Sequence, residues 1–214
     1  TGISAYNIGG ITINSFMGIG TGEDSLEVLL KRLRYKIAIK DRIRRTDILI
    51  IDEISMLSAA IFEKINSIFQ ILKRSKRPFG GVQIILTGDF LQLETVFSNA
   101  NGDNRLIIES DVFKKIFEKS IIILKENFRQ SSDKEYIDIL MRIRKGNYNE
   151  KDIDVLKTRL LKRNTCDDVT KHVHLVSSNW KAQQINNRYL DMINEQDHHY
   201  DTIYSKIGDK DTCE

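Results

Sequence analysis

Two short apolar runs in this sequence end in residues that can do chemistry. Ile48-Leu49-Ile50-Ile51 passes directly into Asp52-Glu53, and Val82-Gln83-Ile84-Ile85-Leu86 passes into Thr87-Gly88-Asp89-Phe90-Leu91-Gln92. A strand that ends in two acids sets both carboxylates at the carboxyl edge of a parallel sheet, where ligands bind in open α/β folds. Such a pair suits phosphoryl transfer to water: Asp52 would hold magnesium through its hydration shell, and Glu53 would accept a proton from the attacking water. Taken alone, the pattern is equally a strand end with solvated acids. The second run adds weight, because it ends beside the first and brings Gln92 to the same edge, where a Gln can orient water or sense a γ-phosphate. Asn127-Phe128-Arg129-Gln130 follows a third apolar run, 120–124, and Arg129 would bring a planar positive charge to the transferring phosphate.

The elements that must position these groups are readable from periodicity. Between the first two runs, Ser58 is the expected N-cap of a helix with Phe62, Ile65, Phe69 and Leu72 on one face, stopping before Pro78 and Gly80-Gly81. Strand, helix and strand at this spacing form a βαβ unit, and both apolar runs read as buried parallel strands. Residues 1–22, rich in Gly, Thr, Ser and Asn, carry no helix pattern and read as a strand end passing into a functional loop. From Thr21, with Asp24 at capping-box spacing, the residues Leu26, Leu29, Leu30, Leu33 and Ile37 predict an amphipathic helix. Two more helices are expected over 133–145, closed by Gly146, and over 150–161. After a polar stretch near 163–171, a strand over 174–177 and a helix reaching Tyr189 and Leu190 begin a new domain. The fold class is α/β, and the residues from Asp191 onward form a weakly patterned acidic tail.

Composition bounds the function. The 214 residues are 41% hydrophobic and 29% charged, which suits a folded chain, and no apolar run nears the roughly 18 residues of a spanning helix. No membrane partner is expected. The 33 Lys and Arg barely exceed the 30 Asp and Glu, so a nucleic-acid surface must come from local clustering. Lys31, Arg32, Arg34, Lys36, Lys40, Arg42, Arg44 and Arg45 provide such a cluster, or else a solvated helix face. Cys166 and Cys213 lie far apart, which argues against a disulfide framework and fits an intracellular setting. His172, His174, His198 and His199 lack partners at ligand spacing, so no protein metal site is expected beyond magnesium. Trp180 is read as a packing residue.

The order of the motifs resembles the Pif-type DNA helicases: Thr1-Gly2-Ile3-Ser4-Ala5, Asn7-Ile8-Gly9-Gly10, Ser15-Phe16, Asp52-Glu53-Ile54-Ser55-Met56, Phe79-Gly80-Gly81, Gly88-Asp89-Phe90-Leu91-Gln92-Leu93 and Phe128-Arg129-Gln130. The likeness extends to Arg142-Ile143-Arg144-Lys145-Gly146 and to residues 175–186, where Asn179 and Asn186 sit in a similar segment. It implies a RecA-like motor domain over 1–171, a small wedge-like insertion near 21–46, and the start of a second RecA-like domain over 172–214. It further implies an ATP-driven motor moving 5′ to 3′ on single-stranded DNA, unwinding duplexes, forks or structured DNA in repair, recombination and telomere maintenance.

Carried onto this sequence, the resemblance gives Asp52 the magnesium, Glu53 the base, and Gln92 and Arg129 the γ-phosphate. It brings Asn7, Gly9, Gly10, Asn14, Ser15 and Phe16 near DNA, with Phe16 favoured as packing, and it directs Arg42 and Arg44 of the insertion toward the fork. ATP and Mg2+ are the implied cofactors, a monomeric motor the implied assembly, and the nucleus, mitochondrion or a bacterial or viral host's cytoplasm the implied setting. The sequence contains no G-x-x-x-x-G-K-[ST] loop, which the resemblance places shortly before Thr1, so the chain reads as a fragment that is inactive by itself. Asn14 stands where the family has His, and Glu94-Thr95 where it has Pro-Pro, which loosens that loop. The alternatives are a non-catalytic nucleic-acid-binding relative and, less in keeping with Gln92 and Arg129, an unrelated ATPase sharing only the Asp-Glu strand.

Overall fold

A computed structural model describes residues 2–93, 105–118, 120–126, 128, 133–160 and 173–193. The chain divides into two compact units, Thr1–Tyr148 and Asn149–Glu214. The domain boundary expected near 171 falls in 161–172, outside the described residues.

Two strands organise the first unit. β1 (Ile48–Ile51) pairs in parallel with β2 (Gln83–Leu86), Ile48 opposite Gln83 and Ile51 opposite Leu86. The crossover between them is α5 (Ala59–Lys73), whose first turn is capped as expected: the Ser58 hydroxyl accepts from the Ile61 N–H at 3.3 Å. Phe62, Ile65, Ile68 and Phe69 on α5 are fully buried, and Phe79 from the following corner sits 5.0 Å from the Phe62 ring and 6.1 Å from Phe69. Truncating one such buried Phe costs about 3–5 kcal/mol. Phe79-Gly80-Gly81 is therefore a structural corner. Gly80 adopts φ 65°, and a Cβ there would come within 2.9 Å of the Phe69 carbonyl oxygen, so only glycine turns the chain at this point.

The strands depart from expectation in one respect. A continuous apolar run implies cover on both faces, yet β1 alternates: Leu49 and Ile51 join the core, while Ile48 and Ile50 are more than half exposed. Among the described residues only one face of the two-stranded sheet is covered. The runs at 120–124 and 174–177 are not strands, and Ile121, Ile122, Ile123, Leu124 and Leu175 are exposed. An apolar segment becomes a strand only when a neighbour supplies the ladder, and the described sheet holds β1 and β2 alone.

Residues 1–22 are more helical than their composition suggests, with α1 (Gly2–Asn7) and α2 (Ile13–Met17), the latter capped by Thr12 and closed by Gly18 at φ 65°. The expected amphipathic helix starts later and is broken. Ser25 caps α3 (Leu26–Tyr35), Lys36 interrupts it, and α4 (Ile37–Arg45) continues in a new direction. Asp24 makes no capping box; its carboxylate takes Arg32 at 2.6 Å. The break arises because Leu29 and Leu33 set one buried stripe and Ile43 another, leaving Ile37 exposed. α6 (Asp111–Phe117) and α7 (Lys134–Arg144) complete the unit, and Asp133 caps α7 as Gly146 at φ 71° follows it.

The second unit contains α8 (Glu150–Lys157), with a reciprocal Asn149–Asp152 capping box, and α9 (Asn179–Leu190). Trp180, read as packing, stands exposed on α9, and His174 lies 3.4 Å from the Tyr189 hydroxyl. No helix among the described residues is long and apolar enough to cross a membrane.

One polar side chain secures the Phe79 corner. Buried Asn66 of α5 accepts from the Phe79 N–H at 2.7 Å. Asn66→Ala leaves that buried donor unpaired and is expected to lower unfolding free energy by about 1–3 kcal/mol. The shift in the urea unfolding midpoint measures it; an unchanged midpoint would remove Asn66 from the account of this corner.

Candidate active site

The carboxyl ends of β1 and β2 are fastened together by three hydrogen bonds. The Thr87 N–H donates to the Ile51 carbonyl at 2.9 Å, the Ile54 N–H returns to the Thr87 carbonyl at 3.1 Å, and the Thr87 hydroxyl donates to Asp52 Oδ1. Asp52 is thus held by the neighbouring strand while its Oδ2 is left for another ligand. Glu53 occupies the left-handed region at φ 57° and ψ 48°. That conformation costs a non-glycine residue about 1–2 kcal/mol. Gly88 permits the crossing: a Cβ there would meet both the Ile54 backbone nitrogen and Cγ1 at 2.8 Å. Thr87 and Gly88 were not singled out from the sequence as site-forming, although each follows directly on a predicted strand.

A cavity of about 600 Å³ opens beside this edge, and its walls include Asp52 and Glu53 together with Gly9, Gly10, Asn14, Phe16 and Arg42. The strand-end carboxylates and most of the loop expected near DNA therefore share one space. Within that loop the polar groups have local duties. Asn14 donates to the Gly20 carbonyl at 2.8 Å, and the Ser15 hydroxyl accepts from Thr12 at 2.9 Å. Gly9 adopts φ 67°, and Asn7 is exposed at the end of α1.

The two arginines of the insertion differ. Arg42 reaches inward: its Nη2 donates to the Ser15 and Phe16 carbonyls at 3.1 and 2.8 Å, and its guanidinium lies 5.0 Å from the Phe16 ring centre. Phe16 is half-buried and packs against the core, as favoured. Arg44 stays at the surface, 3.8 Å from Asp41. The basic stretch is therefore part fastening and part solvated face.

Gln92 lies in the loop after β2, beyond the lining of that cavity, and is held by Asp89. Asp89 Oδ2 accepts from Gln92 Nε2 at 3.2 Å and from Arg144 Nε at 3.0 Å; Oδ1 accepts from Arg144 Nη2 at 2.5 Å and from the Leu91 N–H at 3.0 Å. In the sequence Arg144 stands only within the Arg142–Gly146 motif, and nothing in its spacing points across 55 residues to Asp89. Arg129 lies outside the described residues.

The donor set suits a hydrated divalent cation with a phosphate ester. It offers an anchored carboxylate with one oxygen to spare, a second carboxylate lining the same cavity, and an amide on the adjoining loop. A parallel βαβ unit with acids at this edge is the arrangement of α/β nucleotide-binding domains, which bind ligands at the carboxyl ends of their strands. The chain belongs to the PIF1-like helicase family, whose family model matches residues 1–154. It is 36% identical to the ATP-dependent DNA helicase PIF1 of Saccharomyces cerevisiae over 203 residues, covering 95% of this chain and 23% of that protein. The crystal structure of Pif1 helicase from Candida albicans superposes with a TM-score of 0.78 at 35% identity, over 92% of this chain and 43% of that one. Pif1 helicase from Bacteroides, solved with ADP-AlF3 and ssDNA, gives 0.74 at 27% identity, over 92% and 47%. The chain thus spans under half of these relatives. The RecA-like fold implied by the resemblance is the fold of the solved neighbours.

Asp89 carries a pH signature. The Arg144 hydrogen bonds hold its carboxyl below the ordinary 3.8, against the opposing effect of burial and with help from the Leu91 N–H and Gln92. A depressed folded value means stabilisation that is complete above the unfolded value of about 3.9 and lost as pH falls through the folded one. Asp89→Asn is therefore expected to melt lower than the parent at pH 7, with the gap narrowing below about pH 4. Melting temperatures across pH 3–7 read this out; a gap independent of pH would show that the charge is not what matters.

Proposed function

We propose that this chain supplies the hydrolytic and DNA-gripping part of an ATP-dependent 5′-to-3′ DNA helicase acting in genome maintenance. The observation that carries the reading is the shared cavity, in which Asp52 and Glu53 face the same space as the α1–α2 loop. Nucleotide occupancy and DNA contact can influence each other most directly when they meet in one space.

Bound ATP with Mg2+ would supply the electrophilic phosphoryl group and the charge that neutralises it. Asp52, fixed by Thr87, would hold the hydrated ion through its second oxygen. Glu53 would take the proton from water, Gln92 would orient that water or sense the γ-phosphate, and Arg129 would stabilise the transferring charge. The exposed backbone of Asn7, Gly9 and Gly10 would meet phosphates of single-stranded DNA. Asn14, Ser15 and Phe16 would shape that surface, with Arg42 holding it from beneath and Arg44 facing the fork. Residues 172–214 would begin the second RecA-like domain. The motor unit is one copy of the protein acting on single strands and forks; for a solved relative, two coordinating Pif1 helicases are described at forked dsDNA.

In the full-length protein, Glu53→Gln is expected to lower DNA-stimulated ATP hydrolysis by about 10²–10⁴-fold while single-stranded DNA binding persists. DNA binding by the parent protein with no hydrolysis at all would favour a non-catalytic binder instead. Arg44→Glu is expected to flatten the salt dependence of binding by about 0.7–1 in log–log slope. An unchanged slope would remove Arg44 from the DNA surface.

A further inference from the structure

Among the described residues, Gln92 is the proposed phosphate-facing group whose orientation is set by another residue's charge. Its side-chain amide has two chemically distinct ends, a nitrogen that only donates and an oxygen that only accepts. An ionised carboxylate can only accept, so Asp89 fixes which end of the amide it receives: the nitrogen, at 3.2 Å. The carbonyl oxygen of Gln92 is then turned away from Asp89 and open to a donor.

Asp89 keeps that role only while it stays charged and still. Arg144 secures both. Two parallel donors, Nε and Nη2, take one carboxylate oxygen each, the bidentate geometry that fixes a carboxyl group's plane as well as its charge. The Leu91 N–H and the Gln92 amide fill the remaining acceptor positions. Arg144 sits in the last turn of α7, in the same unit as β2, and its side chain is only 34% exposed, so the pair is partly shielded from water and salt. Free of Arg144, Asp89 could rotate about its χ angles, and Gln92 would lose the acceptor that decides between its two amide orientations.

We infer that Arg144 is a positioning residue for Gln92, acting through Asp89 to hold the Gln92 amide with its carbonyl oxygen free to accept a hydrogen bond from the attacking water. The inference rests on the proposed role of Gln92 in hydrolysis. It adds that the end of α7 governs whether Gln92 is set for that role, so Arg144 should influence turnover more than nucleotide affinity.

The test is a double-mutant cycle in the full-length protein, following kcat and KM for ATP in DNA-stimulated hydrolysis with Gln92→Ala, Arg144→Ala and both changes together. Each single variant is expected to lower kcat about 10-fold, with KM changed less than about 2-fold for Arg144→Ala. In the Gln92→Ala background, adding Arg144→Ala is expected to change kcat by less than about 2-fold, because there is no amide left to position. If the two losses multiply, Arg144 acts on turnover by another route and the inference falls while the role of Gln92 stands. If Gln92→Ala leaves kcat intact, the proposed role of Gln92 falls and this inference with it. Arg144→Lys keeps the charge and the fold but not the two-pronged grip. It is expected to show an intermediate kcat at near-parental melting temperature, and full parental kcat in this variant would also overturn the inference.

Discussion

The structure depends on the lashing of β1 to β2 at their carboxyl ends. Two strands of four residues each form a meagre ladder, and a short parallel pair is not stable without support. Here the ladder continues past the strands, through Thr87 to Ile51 and from Ile54 back to Thr87, so the two chains remain in register while they leave the sheet. The two strand-end acids proposed for the nucleotide site are placed by that continuation. Asp52 is caught by the Thr87 hydroxyl, Glu53 is thrown into a left-handed turn, and Gly88 lets the strands' extensions cross at van der Waals limits. The aromatic core of Phe62, Phe69 and Phe79 gives the platform its rigidity, since α5 and the corner after it cannot shift without opening a cavity.

A second constraint runs through the insertion. Arg42, drawn beneath the α1–α2 loop by two carbonyls and the Phe16 ring, ties α4 to α2. A guanidinium suits this task, because it can sit over the ring while several of its N–H groups still donate. The insertion and the loop lining the cavity therefore behave as one piece, and a basic sequence that looks uniform contains residues with opposite orientations.

Much of this is legible in the amino-acid sequence alone. The continuous apolar runs, Ser58 as a cap, and Pro78 with its glycines are local signals, and local signals gave the βαβ unit with nearly correct limits. The position of Asp52 and Glu53 at the strand edge was legible as well, because it follows from the end of a parallel strand, whereas Gln92, six residues past β2, lies outside the cavity that they line. What the sequence hid has a common physical origin. The helices in residues 1–22 are short, and α2 is held by its packing on the core through Met17, the bend at Lys36 results from two competing buried stripes, and the runs at 120–124 and 174–177 have strand composition without a described neighbour. Arg144 and Arg42 were invisible as fastenings because each acts over a long stretch of chain on a group that carries no pattern of its own.

The span between Asp89 and Arg144 has a consequence for biosynthesis. A chain emerging from the ribosome completes β1, α5 and β2 while the 55 residues leading to Arg144 are still to come. The strand pair and its aromatic platform can assemble from these nearby segments, whereas the Gln92 loop acquires its anchor only once α7 has formed and docked, the slower closure of a longer loop. The Gln92 loop thus matures after the strand pair, and a nascent chain passes through a stage with a formed sheet and an unset loop.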